Sequence, residues 1–221
     1  MSPDWRRDLL SGRIHPGEGM KLVILDRDGT INHEREDYIK SSDEWVPLPG
    51  ALEAIARLNH AGWHVVVATN QSGIGRGLFD MVALNAMHAK MNQLLARVGG
   101  RVEAVFFCPH TPEDHCTCRK PLPGLFQMIG QRFGRSLDGV PMVGDLPRDV
   151  LAAQSVGCEP HLVRTGQAAT MSEADLYDLR QRVPDLTIHP DLSAFADFLV
   201  LRDRKAHGED SPVATHMGEL T

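Results

Sequence analysis

No stretch of the 221-residue chain approaches the run of about 18 to 20 apolar residues that a membrane-spanning helix needs. The opening segment MSPDWRRDLLSGRIHPGEGM has Arg6 and Arg7 but no apolar core, and Asp4, Asp8 and Glu18 interrupt it. It therefore lacks the anatomy of a secretory signal, and the cytoplasm is the expected compartment. No lysine- or arginine-rich run is present either. With 23 basic and 29 acidic residues the formal charge is -6, which argues against a nucleic-acid binder. Only four cysteines occur, and in a cytoplasmic chain these are thiols or metal ligands rather than disulfides. No G-x-x-x-x-G-K-[ST] occurs, which excludes a P-loop nucleotidase. The run Gly73-Ile-Gly75-Arg-Gly77 fails as a dinucleotide fingerprint, because Leu78 stands where the last glycine belongs. It reads instead as a flexible loop before a helix.

What is present is ordinary globular material: 42% hydrophobic and 24% charged residues, enough chain for one core. Short apolar runs at Lys21–Asp26, Trp63–Ala68, Val102–Phe107 and Pro141–Gly144 suit strands buried on both faces. Helical spacing follows over Ala51–His60, Met81–Arg97, Gly124–Phe133, Asp149–Val156, Ser172–Arg182 and Leu192–Arg202. Strand–helix alternation of this kind predicts an α/β fold, a doubly wound, Rossmann-like parallel sheet. One domain is expected over residues 20–202, with loose polar tails at 1–19 and 203–221. No interval between the polar strand ends could hold a cap domain, so the site should be open and shaped by short loops.

In such sheets ligands bind beyond the carboxyl ends of the strands. Here those ends read Asp26-Arg27-Asp28-Gly29-Thr30, then Thr69-Asn70-Gln71-Ser72-Gly73, and Gly144-Asp145 with Asp149 one helical turn on. A separate segment supplies Arg119-Lys120-Pro121. One acid at a strand end is turn chemistry. Two acids two apart, then a hydroxyl, a lysine and a third acid make a set that turns do not require.

DRDGT, ATNQSG, RKPLPG and GDLPRD, spanning residues 20–165, resemble the four motifs of the haloacid dehalogenase superfamily of phosphatases. That resemblance implies that Asp26 attacks phosphorus to form an aspartyl-phosphate. It makes Asp28 the acid that protonates the leaving oxygen and then the base that activates water. Asp26, the backbone carbonyl of Asp28, and Asp145 would hold Mg²⁺, with Thr69 and Lys120 on the phosphoryl oxygens. Asp149 has two readings, an anchor for the lysine or an acid favoured by a helix start.

Between the third strand and Arg119 lies Cys108-Pro-His110-Thr-Pro-Glu-Asp-His115-Cys116-Thr-Cys118. Three of the four cysteines fall within eleven positions, and C-x-H followed by C-x-C suits tetrahedral zinc on Cys108, His110, Cys116 and Cys118. His115 is the substitute for His110. Four protein ligands leave no open position, so this zinc is expected to be structural and to fix the loop that delivers Arg119 and Lys120. Cys158 stands apart and reads as a small buried residue.

With this zinc loop the chain is similar to the D,D-heptose 1,7-bisphosphate phosphatases of lipopolysaccharide heptose synthesis, and to the related histidinol-phosphatases. That likeness implies a small phosphorylated sugar as substrate, bound by Asp26, Asp28, Thr69, Asn70, Gln71, Ser72, Arg119 and Lys120. Arg119 is the candidate for a second phosphate. A monomer is expected. Two departures stand out: the lysine usual after the last motif's aspartate is Leu146 here, and the loop Asn32–Tyr38 is longer than the pattern. A phosphotransferase on the same scaffold, or a zinc-stabilised binding module with a vestigial site, are the remaining alternatives.

Overall fold

The computed structural model describes residues 19–206. Six parallel strands form one sheet: β1 (Leu22–Leu25), β2 (His64–Asn70), β3 (Ala104–Cys108), β4 (Pro141–Gly144), β5 (Glu159–Val163) and β6 (Thr187–His189). Their spatial order is β3-β2-β1-β4-β5-β6. Helices α1 (Ala51–His60), α2 (Ser72–Gly75), α3 (Met81–Arg97), α4 (Gly124–Phe133), α5 (Pro147–Gln154), α6 (Glu173–Arg182) and α7 (Leu192–Ala206) connect and cover it.

The alternation of strand side chains explains why β1 is apolar throughout. Val23 and Leu25 enter a core with Ile55, Leu58, Met87, Met91, Leu95 and Phe195, contributed by α1, α3 and α7. Leu22 and Ile24 point the other way, to Phe126 and Ile129 of α4 and Ala152 of α5. A third cluster joins Leu162 of β5 to Val150, Leu176 and Leu179. The methionine stripe of α3 is core, as its spacing predicts.

The doubly wound sheet and four of its strands match the sequence reading, but β5 and β6 were not foreseen. Strand β5 carries Glu159, Pro160 and His161 in place of an apolar run, and β6 is three residues at the sheet edge. Helix α5 starts at Pro147, a residue favoured in a first turn, two positions earlier than the pattern predicts. Helix α7 runs four residues past its predicted end, and Lys21 pairs with Asp203 there at 2.5 Å. The expected tail therefore begins no earlier than residue 207. The remainder of both predicted tails, 1–18 and 207–221, lies outside the described residues.

The GIGRG loop is also different from expectation, because Ser72–Gly75 is a single helical turn, closely packed. A Cβ on Gly73 would come within 2.3 Å of the Phe79 ring, and one on Gly75 within 2.7 Å of the Pro109 carbonyl. One site wall is long rather than short. Residues 26–50 run from β1 to α1, pinned by bridges between Asp28 and Asn32 and between Asn32 and Pro47.

Candidate active site and metal centre

Register brings the polar strand ends together. Leu25 is level with Val67 on β2 and Val143 on β4, so Asp26, Thr69 and Asp145 all emerge within two residues of one edge. That edge lies where the strand order reverses, the crevice in which such sheets bind ligands. It opens into a cleft of about 670 Å³, walled by the 26–50 loop, Asn70–Ser72, Arg119, Arg148 and Gly166–Thr170.

Behind that lining, as a buried floor reached through Gln167, Asp26, Asp145 and Asp149 each offer a carboxylate oxygen within 4.8 Å of the others. Lys120, also buried, joins the three segments. Its Nζ lies 2.8 Å from Asp26 Oδ1, 2.7 Å from Asp149 Oδ1 and 2.7 Å from the Ala68 carbonyl. Burial lowers the lysine's pKa, but Asp149 and then Asp26 outweigh it, and the net shift is upward. Asp149 fills both of its readings at once. Besides holding Lys120 it accepts from the Leu146 backbone N–H at 3.1 Å, capping the start of α5.

The floor carries more negative charge than its cations compensate. Burial, then the charges of Asp149 and Asp26, push Asp145 up to about 9. Burial and Asp149 raise Asp26 to about 6 against the pull of Lys120 and Arg148. Asp145 Oδ2 accepts from the Gln167 N–H at 2.9 Å, while Oδ1 is buried without a partner. The backbone closes tightly round this carboxylate, because Cβ atoms on Gly29 (φ 79°) or Gly166 (φ 51°) would lie 2.2 and 2.1 Å from Oδ2. A cluster of hard oxygens with one orphaned lone pair and excess negative charge fits a small divalent cation.

The Asp28 carboxylate faces away from this cluster. It accepts from Arg27 Nε and Nη2 at 3.0 and 2.9 Å, from Asn32 at 2.9 Å and from Gln71 at 2.7 Å. Burial pushes its pKa up, but Arg27 and then the amides of Asn32 and Gln71 win, and it titrates below the usual range. Arg27 is itself fully buried, with Nη1 3.3 Å from His88 Nε2.

Gln71 also donates to Thr69 Oγ1 at 2.9 Å. Asn70 is committed elsewhere, since its side-chain amide exchanges two 3.1 Å hydrogen bonds with the backbone of Lys120. Ser72 and Arg119 line the cleft, and Arg119 Nη1 donates to the His110 carbonyl at 3.3 Å.

The four soft ligands converge beneath that loop. Cys108 Sγ lies 3.6 Å from His110 Nδ1, 3.7 Å from Cys116 Sγ and 3.3 Å from Cys118 Sγ. Cys118 Sγ lies 3.3 Å from His110 Nδ1 and 3.6 Å from Cys116 Sγ. A tetrahedron with metal–sulfur bonds of ~2.3 Å has edges of about 3.5 to 3.8 Å, and a disulfide needs ~2.05 Å. The set therefore matches metal ligation, and all four cysteines are free thiols. His115, exposed and in a left-handed conformation, lies outside the group. Cys158 is buried in the core beside Leu22, as expected.

Arg27, Asn32, His88, Arg148 and Gln167 were not picked out from the sequence. Arg148 had a signal, a cation in GDLPRD two places beyond the missing lysine, whereas the others become visible only through contacts.

The comparisons decide the family. A family profile described as polynucleotide kinase 3 phosphatase matches residues 21–146, and one described as HAD-hydrolase-like matches 117–194. The D-glycero-beta-D-manno-heptose-1,7-bisphosphate 7-phosphatase of Bordetella bronchiseptica is 58% identical over 147 residues, covering 66% of this chain and 82% of the relative. That of Pseudomonas aeruginosa is 49% identical over 180 residues, covering 81% and 97%. The chain belongs to this family of HAD-type phosphatases. A crystal structure of the B. bronchiseptica D,D-heptose 1,7-bisphosphate phosphatase, complexed with magnesium and phosphate, aligns with TM-score 0.75 at 48% identity, covering 83% of this chain and 99% of that one. The L-2-haloacid dehalogenase of Xanthobacter autotrophicus, 13% identical with TM-score 0.53, shares the fold alone. A member of this family is a phosphoric monoester hydrolase. Among the described residues no helix is long and apolar enough to cross a membrane.

Proposed function

We propose that this phosphatase removes the C7 phosphate of D-glycero-β-D-manno-heptose 1,7-bisphosphate, through an aspartyl-phosphate on Asp26, on the route to lipopolysaccharide heptose. The observation that carries it is the meeting of Asp26, Lys120, Asp145 and Asp149 at the buried floor behind an open cleft with Arg119 on its wall. The names of the relatives supply the sugar and its anomer.

In this reading an Asp26 oxygen bonds to phosphorus while the bond from phosphorus to the C7 oxygen breaks, and the departing oxygen keeps the electron pair. Asp28 supplies its proton. The low pKa of Asp28 means the empty site holds it ionised, and the negative charge of an arriving phosphate raises that pKa so that the proton is taken up on binding. Asp28 then draws a proton from the water that attacks phosphorus, and Asp26 is released with inorganic phosphate. Asp26, Asp145 and the Asp28 backbone carbonyl would hold Mg²⁺, which when bound supplies Lewis-acid stabilisation of the phosphoryl charge. Thr69, held by Gln71, faces the same group. Cys108, His110, Cys116 and Cys118 would hold a structural zinc. Those four residues would fix the Arg119–Lys120 segment, and the Asn70 amide holds the backbone of Lys120.

Arg119 has one weak bond to a carbonyl, which leaves its fork free for a second anionic group. Arg119→Ala should cost roughly 10- to 100-fold in kcat/KM for the bisphosphate, and much less for a simple monophosphate. Phosphate release under Mg²⁺ tests the whole reading. The panel is both anomers of heptose 1,7-bisphosphate, histidinol phosphate, fructose bisphosphate and a 3′-phosphorylated oligonucleotide. The β-heptose should turn over fastest. Faster release from histidinol phosphate or from the oligonucleotide would reassign the substrate.

A further inference from the structure

Lys120 is the cation the motifs assign to the transferring phosphate, yet its ammonium is already enclosed by protein oxygens. An ammonium has three donors, and three oxygens surround Nζ at 2.7–2.8 Å, with the group sealed from solvent. It can reach a phosphoryl oxygen only by giving up Asp26, Asp149 or the Ala68 carbonyl. The residue after Asp145 is Leu146, which carries no charge. The cleft as built therefore lacks a free positive charge at its floor unless another residue provides one.

Arg148 provides it. It sits in the first turn of α5, between the two floor carboxylates Asp145 and Asp149 in sequence, and its side chain lines the cleft. Its Nε is buried with no hydrogen-bond partner, and among the described residues no carboxylate lies within ion-pair distance of its guanidinium, although four of them act on it through space. Burial lowers the pKa of the group, while Asp149, Asp26, Asp145 and Glu34 raise it further, so it stays charged. An unpaired, partly buried N–H costs stability unless something fills it. Arg148 also acts on Asp26, which places its charge on the side of the nucleophile rather than at the far wall with Arg119.

We propose that Arg148 is a catalytic residue that binds the non-bridging oxygens of the phosphoryl group being transferred. This rests on the phosphatase reading above, and it divides the two free arginines of the cleft. Arg148 serves the reacting phosphate of any substrate, and Arg119 serves the second anion of a bisphosphate. A guanidinium fork suits three equatorial oxygens that gain charge at the transition state.

The test compares Arg148→Gln, Arg148→Lys and Arg119→Gln with the unaltered chain, under saturating Mg²⁺, in turnover of heptose 1,7-bisphosphate and p-nitrophenyl phosphate. Inhibition by inorganic phosphate is read alongside. Arg148→Gln should lose about 10- to 100-fold in kcat/KM on both esters, largely in kcat, and weaken inorganic phosphate inhibition by a similar factor. Arg148→Lys should fall between, and Arg119→Gln should lower turnover of the bisphosphate more than that of the aryl ester. Melting temperatures check that each variant folds. If Arg148→Gln is poorly folded, Arg148→Lys carries the same comparison. Inorganic phosphate inhibition unchanged in both Arg148 variants would overturn the proposal, as would a loss confined to the bisphosphate. If the heptose bisphosphate is not hydrolysed, the substrate reading fails, while the aryl ester and inorganic phosphate still report on Arg148.

Discussion

Asp26 and Asp28 are two residues apart on one strand end, yet their surroundings differ sharply. Asp26 sits among carboxylates and Lys120 with its pKa pushed up to about 6, and Asp28 sits among the N–H donors of Arg27, Asn32 and Gln71 with its pKa pulled down. Amide substitutions should therefore behave differently. In Asp26→Asn the amide oxygen can still accept from the Arg27 N–H and Lys120, so the fold should persist. Turnover should nonetheless fall by several orders of magnitude, and more than about a tenth of wild-type kcat remaining would exclude Asp26 as nucleophile. Asp28→Asn turns an NH₂ toward groups that are already donors, so it should lose stability as well as turnover, by about 1 kcal/mol for a mismatch at a half-buried group. Denaturant unfolding of the two variants side by side checks this contrast. The motif residues were legible because strand-end acids, a hydroxyl and a lysine have few other reasons to occur in that order. Arg27 and His88 were not legible: nothing in the sequence says that a buried arginine reaches a histidine sixty-one positions away.

The Cys/His loop was the most readable element, because C-x-H and C-x-C leave few other geometries for four side chains that could hold a metal. The structure adds what the loop is attached to. Cys108 ends β3, level with Asn70 on β2, and Asn70 grips the backbone of Lys120, two residues past Cys118. Metal loss should therefore loosen the segment that carries Arg119 and Lys120. Elemental analysis should find about one zinc per chain, and Cys116→Ser should lose both that zinc and several degrees of melting temperature. A Mg²⁺-selective chelator should abolish turnover and leave both intact. Zinc-free protein that remains folded and fully active would show that the four ligands serve some other end. Strands β5 and β6 escaped the sequence reading because their interior is polar. His161 Nδ1 lies 3.0 Å from His189 Nε2, and His161 Nε2 lies 3.2 Å from Glu159, which also pairs with Arg202. That network puts polar side chains within and beside the sheet, whereas sequence patterns recognise apolar ones.

For the molecule as a whole, the same network bears on acid stability. Burial and then His161 pull His189 down to about 4, with Glu159 opposing; burial and then Arg27 do the same to His88, with Asp28 opposing. Unfolded histidine titrates near ~6.5, so below that pH the unfolded chain binds protons that the native chain refuses until about 4. Stability should drop through that window. Glu159 is pushed up by burial, but His161 and Arg202 outweigh this and hold it at about 2, so its contribution is lost as pH falls from ~4.5 toward 2. Asp26 and Asp145, raised in the metal-free protein, act in the opposite sense. The informative quantity is therefore a difference: the fall in melting temperature from pH 7.5 to pH 5 should be smaller in His189→Gln than in the unaltered chain. Equal falls would remove His189 from the acid response. The most direct measurement of what the molecule does is a ³¹P NMR time course on D-glycero-β-D-manno-heptose 1,7-bisphosphate with Mg²⁺. The C7 phosphate resonance should give way to inorganic phosphate while the C1 resonance persists. Loss of the C1 phosphate first, or no loss under conditions where a simple phosphate ester is hydrolysed, would contradict the proposed function.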